Sequence, residues 1–208
     1  MQLFDFHHHH RDVRYGIYNP MLNESAPPGF FSRGIHPKDI SDEWSIIFEK
    51  IKEESRQPNC IALGECGLDR LISVPMDIQE KVFSAHVLWA GEIKKPVIIH
   101  CVRSFAELLP FRKKTDVPMI VHGFSKKRQT AEMLLSHGFH LSFGKAVLGS
   151  VSLQDIIKDI PAERFFLETD DSDVKIGDIY AKVAEIRQIS VENLHHQILE
   201  NLENIIRI

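Results

Sequence analysis

Pro96-Val97-Ile98-Ile99-His100 and Pro118-Met119-Ile120-Val121-His122 are two copies of one pattern: a proline, three apolar residues and a histidine. Three or four apolar residues bounded in this way are strand-sized, and a proline is tolerated where a strand begins. Neither run alternates between apolar and polar residues, so both faces of each strand are apolar. Strands of that kind belong to a parallel sheet covered by helices.

The pattern recurs on both sides of this pair. Residues 3–6 run into histidines, and residues 15–18 make a shorter, weaker candidate. Residues 30–35 end at His36-Pro37, and residues 60–63 end at Gly64-Glu65. Residues 140–143 end at Gly144, and residues 164–167 end at Glu168-Thr169-Asp170. With 97–99 and 119–121 these make eight candidate strands. Helical patterns fill residues 44–55, 78–93, 104–113, 127–137 and 154–159, and Ser190 can cap a last helix beginning at Val191. Alternating strand and helix predicts βα units with right-handed crossovers. Eight such units predict an α/β fold, a (β/α)8 TIM-type barrel with its active site at the C-terminal ends of the strands. The chain has 208 residues, 43% of them hydrophobic, which is enough for one sizeable core and too short for two typical domains. Residues 1–208 are therefore read as one small barrel. Residues 11–30 leave no room for two full crossover helices, so the first crossovers are expected to be reduced.

The formal net charge is −4, which excludes the basic footprint of a protein that grips a long nucleic-acid backbone. Bound metals can still hold an anionic substrate, because they dominate the local field. Cys60, Cys66 and Cys101 are odd in number and form no C-x-x-C, which points to a reducing, cytoplasmic setting. The start, Met1-Gln2-Leu3-Phe4-Asp5, lacks the basic region of a signal peptide, and every apolar run is shorter than a membrane span. Nothing in the sequence points to an obligate protein partner.

The chemistry-bearing residues sit at the ends of the candidate strands. In Asp5-Phe6-His7-His8-His9-His10, residues two apart share a face, so His7 and His9 are expected to face one pocket, with Asp5 on the same side as an orienting carboxylate. An expression tag would explain four histidines in a row, but this run lies between a strand and native-looking sequence. His8 and His10 have the opposite parity. Glu65, between Gly64 and Gly67, can bridge two cations; alone it would read as a surface turn glutamate. His100 and His122 would each singly read as hydrogen-bonded core residues, but at the same end of successive strands they point to metal ligation. Asp170 completes the set, with a turn aspartate as its bland reading. Val82, His86, Trp89 and Ile93 keep helical spacing and read as a buried face, and Phe124 reads as packing.

As an ordered set (H-x-H, Glu, His, His, Asp) these residues resemble the TatD-type deoxyribonucleases, a branch of the amidohydrolase superfamily of metal-dependent barrels. The matching stretches are residues 5–9, Gly34-Ile35-His36-Pro37, residues 62–69, residues 95–100, Val121-His122-Gly123-Phe124, Ser142-Phe143-Gly144 and residues 167–170, and they span most of the chain. The resemblance implies a hydrolase with two divalent ions (zinc, manganese, magnesium or nickel). His7, His9 and Asp170 would hold the first and His100 and His122 the second, with Glu65 between them. Glu65 and Asp170 are the implied catalytic residues, Asp170 as general base toward the attacking water. His36, Arg103 and Lys145 are candidate substrate contacts.

Three departures from the family pattern stand out. The arginine expected in His-x-Arg is displaced by one residue, in His100-Cys101-Val102-Arg103. Arg70-Leu71 replaces the aromatic residues that often follow Gly-Leu-Asp. The basic loop that often follows Glu-Thr-Asp is replaced by Asp171-Ser172-Asp173. The expected activity is thus a phosphoesterase acting on short DNA or a small-molecule phosphoester. The alternatives are a hydrolase of a small amide, lactone or phosphate ester and, from another class, a metal-binding barrel without catalysis.

Overall fold

Strand β1 (Asp5–His8) pairs in parallel with β2 (Gly16–Tyr18), and the order continues without interruption through β3 (Phe31–Arg33), β4 (Cys60–Asp69), β5 (Val97–Val102), β6 (Met119–Val121), β7 (His140–Phe143) and β8 (Phe165–Leu167). This computed structural model describes residues 1–206. All seven pairings are parallel. The first and last strands meet as well: His8 bridges Asp170, the Asp170 amide donates to the His7 carbonyl at 2.9 Å, and the His9 amide donates to the Asp170 carbonyl at 3.1 Å. The sheet therefore closes into the expected (β/α)8-type barrel, and it closes at the rim where the ionisable residues lie.

The helices stand outside the strands because each has one apolar stripe to bury. In α1 (Trp44–Ser55), Phe48, Ile51 and Ser55 turn inward. In α2 (Met76–Ile93), Val82, His86 and Trp89 form the buried face that their spacing predicts. His86 is a satisfied core histidine: Nε2 accepts from the Ile35 amide at 3.0 Å, and Nδ1 lies 2.8 Å from the Val82 carbonyl. Helices α3 (Leu109–Arg112), α4 (Arg128–Ser136) and α5 (Val151–Asp159) cover β5 to β8, and α6 (Ile176–Arg187) and α7 (Val191–Ile206) follow β8. No helix separates β1, β2 and β3, so the first two crossovers are reduced to loops, as the length of residues 11–30 requires.

Several boundaries differ from the sequence expectation. β4 does not stop at Leu63 but runs on to Asp69, with a register shift between Leu63 and Cys66, so Glu65 lies within a strand instead of in a turn after it. The expected helix over 104–113 is split into a 3-10 turn (Ala106–Leu108) and one turn of α-helix, with Pro110 confined to its start, where a missing N–H costs nothing. Helix α5 begins at Val151, three residues before the apolar pattern suggests, because the Ser150 side chain accepts from the Leu153 amide. Helix α6 has no counterpart among the expected helices, because its apolar positions follow directly on turn-like residues.

The two glycines beside Glu65 have positive φ, +125° at Gly64 and +149° at Gly67. A Cβ on Gly67 would lie 2.0 Å from the His100 carbonyl oxygen, and one on Gly64 would lie 2.3 Å from that of Ile98. Close approach of β4 to β5 thus depends on bare backbone at both positions. Gly67→Ala should lower stability by about 2 kcal/mol or more. Urea unfolding checks this, and an unchanged midpoint would show that the strands can part without cost.

Candidate metal centre

Glu65 is 6% exposed, and its carboxylate meets five imidazoles. Oε2 lies 3.5 Å from His7 Nε2 and 3.5 Å from His9 Nε2. Oε1 lies 2.8 Å from His100 Nδ1, 2.8 Å from His122 Nε2 and 3.4 Å from His36 Nε2. Asp170 Oδ1 faces the first pair, 3.7 Å from His7 Nε2 and 3.6 Å from His9 Nε2. The structure brings together all six residues of the expected ligand set. It adds His36, which sits with the metal donors and not merely at the mouth of the cleft.

The same backbone bonds that close the barrel position the first group. Asp170 has φ of 54°, a left-handed conformation that aspartate tolerates better than most residues, and its N–H and C=O bond to β1 on either side of His8. This fixes Asp170 opposite His7 and His9. Asp5 makes no hydrogen bond to either imidazole. A register shift lies between Asp5 and His8, and Asp5 accepts from the Thr169 amide at 3.0 Å and the Thr169 hydroxyl at 2.6 Å. Burial pushes the Asp5 carboxyl up to about 7, against the lowering effect of those two bonds. His8 is buried beside Tyr18, and burial lowers it to about 4, so it belongs to the packing.

The donors fit a cation. Both ring nitrogens of His7 are buried, and neither has a hydrogen-bond partner among the described residues. Leaving such groups unmet costs about 1–3 kcal/mol each. Ligands about 2.1 Å from a tetrahedral zinc ion lie roughly 3.4 Å apart, and the four separations around His7, His9, Glu65 and Asp170 are 3.5 to 3.7 Å. Around Oε1, His100 and His122 are at hydrogen-bond distance, so an ion entering there would replace two hydrogen bonds.

Neighbouring groups hold the imidazoles in place, as is usual for metal-binding histidines. His9 Nδ1 lies 3.0 Å from the Asn19 carbonyl oxygen, and Asn19 is itself anchored by its amide to Ser32 Oγ and the Gly64 carbonyl. His100 Nε2 lies 3.3 Å from Asp69 Oδ2. His122 Nδ1 lies 3.3 Å from Oε1 of the fully buried Glu168, which also accepts from the Gly123 amide at 2.6 Å. Sequence reasoning missed Asn19 and Glu168 in these roles. Asn19 acts through its backbone and leaves no sequence signal. Glu168, two residues before Asp170 at the end of the same strand, did leave one.

Electrostatics follow from this packing. Burial alone would raise Glu65, but the charge of His122 and the hydrogen bonds from His100, His122 and His36 outweigh it and hold the carboxyl well below the usual range. Burial would lower His122, and Glu65 and Glu168 overcome it and hold the imidazole well above its usual range. Glu168 is held low by His122 against its burial.

The other expected contacts divide. His36 lines the cleft of about 590 Å3 that contains Glu65, His100, His122 and Asp170. Arg103 is exposed, with φ of 53°, and does not line that cleft. The left-handed backbone there follows β5 and is where the displaced arginine leaves the pocket. Lys145 is exposed and lines a smaller neighbouring cavity that shares Gly123, Ser125, Asp170 and Asp171 with the cleft. Two lysines without a sequence signal, Lys38 and Lys126, do line the cleft.

A family model described as TatD related DNase matches residues 21–207. The chain belongs to the TatD-related DNase family. A metal-dependent hydrolase named YcfH from Escherichia coli K12 is 27% identical over 197 residues, covering 86% of this chain and 74% of that protein. A 3'-5' ssDNA/RNA exonuclease TatD from Rahnella is 39% identical over 161 residues, covering 72% of this chain and 60% of that protein. Among solved structures, the TatD homolog YJJV from Escherichia coli K12 superposes with a TM-score of 0.81 at 21% identity, over 99% of this chain and 98% of that one, and shares the fold. Among the described residues no helix is long and apolar enough to cross a membrane.

Replacing Glu168 with glutamine should weaken metal binding about 10- to 100-fold by releasing His122. Competition against a chromophoric chelator measures this, and wild-type affinity in Glu168→Gln would remove Glu168 from the centre. Metal binding must displace the protons that Glu65 and Glu168 hold on His122, so affinity should fall as pH falls. A pH-independent affinity in the same assay would contradict that coupling.

Proposed function

We propose that the chain is a phosphoesterase of the nuclease kind that uses two divalent ions and acts on short single-stranded nucleic acid or a related phosphodiester. The observation that carries this reading is the shared carboxylate of Glu65, with a donor group facing each of its oxygens. His7, His9 and Asp170 would hold one ion, and His100 and His122, with His36 beside them, the other. When bound, such ions lower the pKa of water toward neutrality and polarise the phosphoryl oxygen. Zinc, manganese, magnesium and nickel all suit a set of imidazoles and carboxylates.

The remaining roles fall to the chain's own side chains. Asp170 is partly exposed to the cleft and accepts the proton of the attacking water at its carboxylate. Glu65 holds the two donor groups in register. Lys38 and Lys126 reach into the cleft with no ion-pair partner among the described residues and meet the charge of a phosphate. Asn19 and Glu168 keep His9 and His122 turned toward the centre. The name of the exonuclease relatives favours a nucleic-acid substrate. A second reading, hydrolysis of a small-molecule ester or amide, draws support from the cleft volume, which is that of a small-ligand pocket, and from Asp39 and Asp171 at its edge.

Metal-stripped protein reloaded separately with Mg2+, Mn2+ and Zn2+ should hydrolyse short single-stranded DNA and a generic phosphodiester, with no turnover in chelator. Asp170→Asn should lower kcat by about 10^2- to 10^4-fold. Metal binding without turnover of either substrate would move the assignment to the small-molecule reading.

A further inference from the structure

A second groove, about 920 Å3 in volume, lies beside the metal cleft and shares Met21 with it as a lining residue. The first two crossovers carry no helix. Residues 9–15 and 19–30 are loops, and they supply every lining residue of the groove except Tyr18. Its walls include Arg11, Arg14, Tyr18, Met21, Glu24 and Pro27. Two arginines face one glutamate, a local excess of one positive charge on a chain whose formal net charge is −4. Glu24 is already engaged, by the Arg11 guanidinium and by the Tyr18 hydroxyl at 2.6 Å. Arg14 is exposed and has no hydrogen-bond or ion-pair partner among the described residues.

We infer that this groove is a second binding site, which takes the sugar–phosphate backbone of a single nucleic-acid strand whose terminal phosphodiester lies in the metal cleft. The inference rests on the phosphoesterase reading for the occupant of the cleft and goes beyond it in naming a path for the rest of the substrate. Three features point to a strand in preference to a compact ligand. The metal cleft alone has the size of a small-ligand pocket, and the groove adds more than that volume again. Met21 lines both and is 67% exposed, so the two sites are neighbours at the surface. The groove offers an unpaired guanidinium and a tyrosine ring, the combination of cation and aromatic face that single strands use. The arginines of this groove also place positive charge beside the cleft, which the acidic segment after Asp170 does not provide.

The test is binding of dye-labelled oligothymidylates of two, four and eight nucleotides, followed by anisotropy with the Asp170→Asn protein supplied with Mn2+. Affinity should increase with length, and Arg14→Glu in that background should weaken the eight-nucleotide ligand about tenfold, as removal of one charge-assisted contact implies. Arg14→Ala should lower the salt slope of log K by about 0.7, the share of one phosphate contact on a single strand. Arg14 is exposed, so both variants should fold, and circular dichroism checks this. Equal affinity for all lengths, or the same affinity with and without Arg14, would overturn the groove. Length-dependent, Arg14-dependent binding in a protein whose wild-type form cleaves no phosphodiester would leave the groove standing and overturn the phosphoesterase reading instead.

Discussion

One buried carboxylate among five imidazoles is the constraint on which the rest depends. Glu65 is 6% exposed, and a lone ionised carboxylate in such a place would be expensive. The imidazoles offset that cost in the protein itself, and cations would do so more strongly. To reach this position, the backbone of β4 must press against β5, which only Gly64 and Gly67 permit. It must also leave regular register between Leu63 and Cys66. The irregular strand is therefore the means by which one carboxylate comes within reach of side chains from β1, β5 and the ends of β3 and β6.

Barrel closure and site assembly are the same event. The hydrogen bonds that join β8 to β1 involve the backbones of His7, His9 and Asp170, three of the donors. Asp5 reinforces this seam through Thr169, one residue from Asp170. A disturbance of the seam reaches the metal donors directly, whereas the helices on the far side of the sheet influence them only through packing.

Much of this is legible in the sequence because parallel strands are apolar on both faces and stop abruptly at the functional rim. His100 and His122 end such runs, and the H-x-H and Glu-Thr-Asp stretches bracket the set. What stays hidden depends on backbone geometry that apolar patterns do not record. Strict alternation places Asp5 with His7 and His9, but its carboxylate bonds to Thr169 and to neither imidazole. The length of β4 is masked because Gly-Glu-Cys-Gly reads as a turn. His36 is visible at a strand end, but its approach to Glu65 is not. Arg103 and Lys145 lie close in sequence to the functional rim, and the exit directions of their loops carry them away from the cleft. Lys38, Lys126 and Arg14 look like ordinary surface cations until the loops place them around a cleft or groove.

On the proposed reading, Glu65 stands between two ions. Anomalous diffraction from crystals of the protein reloaded with Mn2+ tests it most directly. Two peaks about 3.5–4 Å apart, one on each side of the Glu65 carboxylate, are expected. A single peak, or a pair in which neither ion touches Glu65, would contradict it.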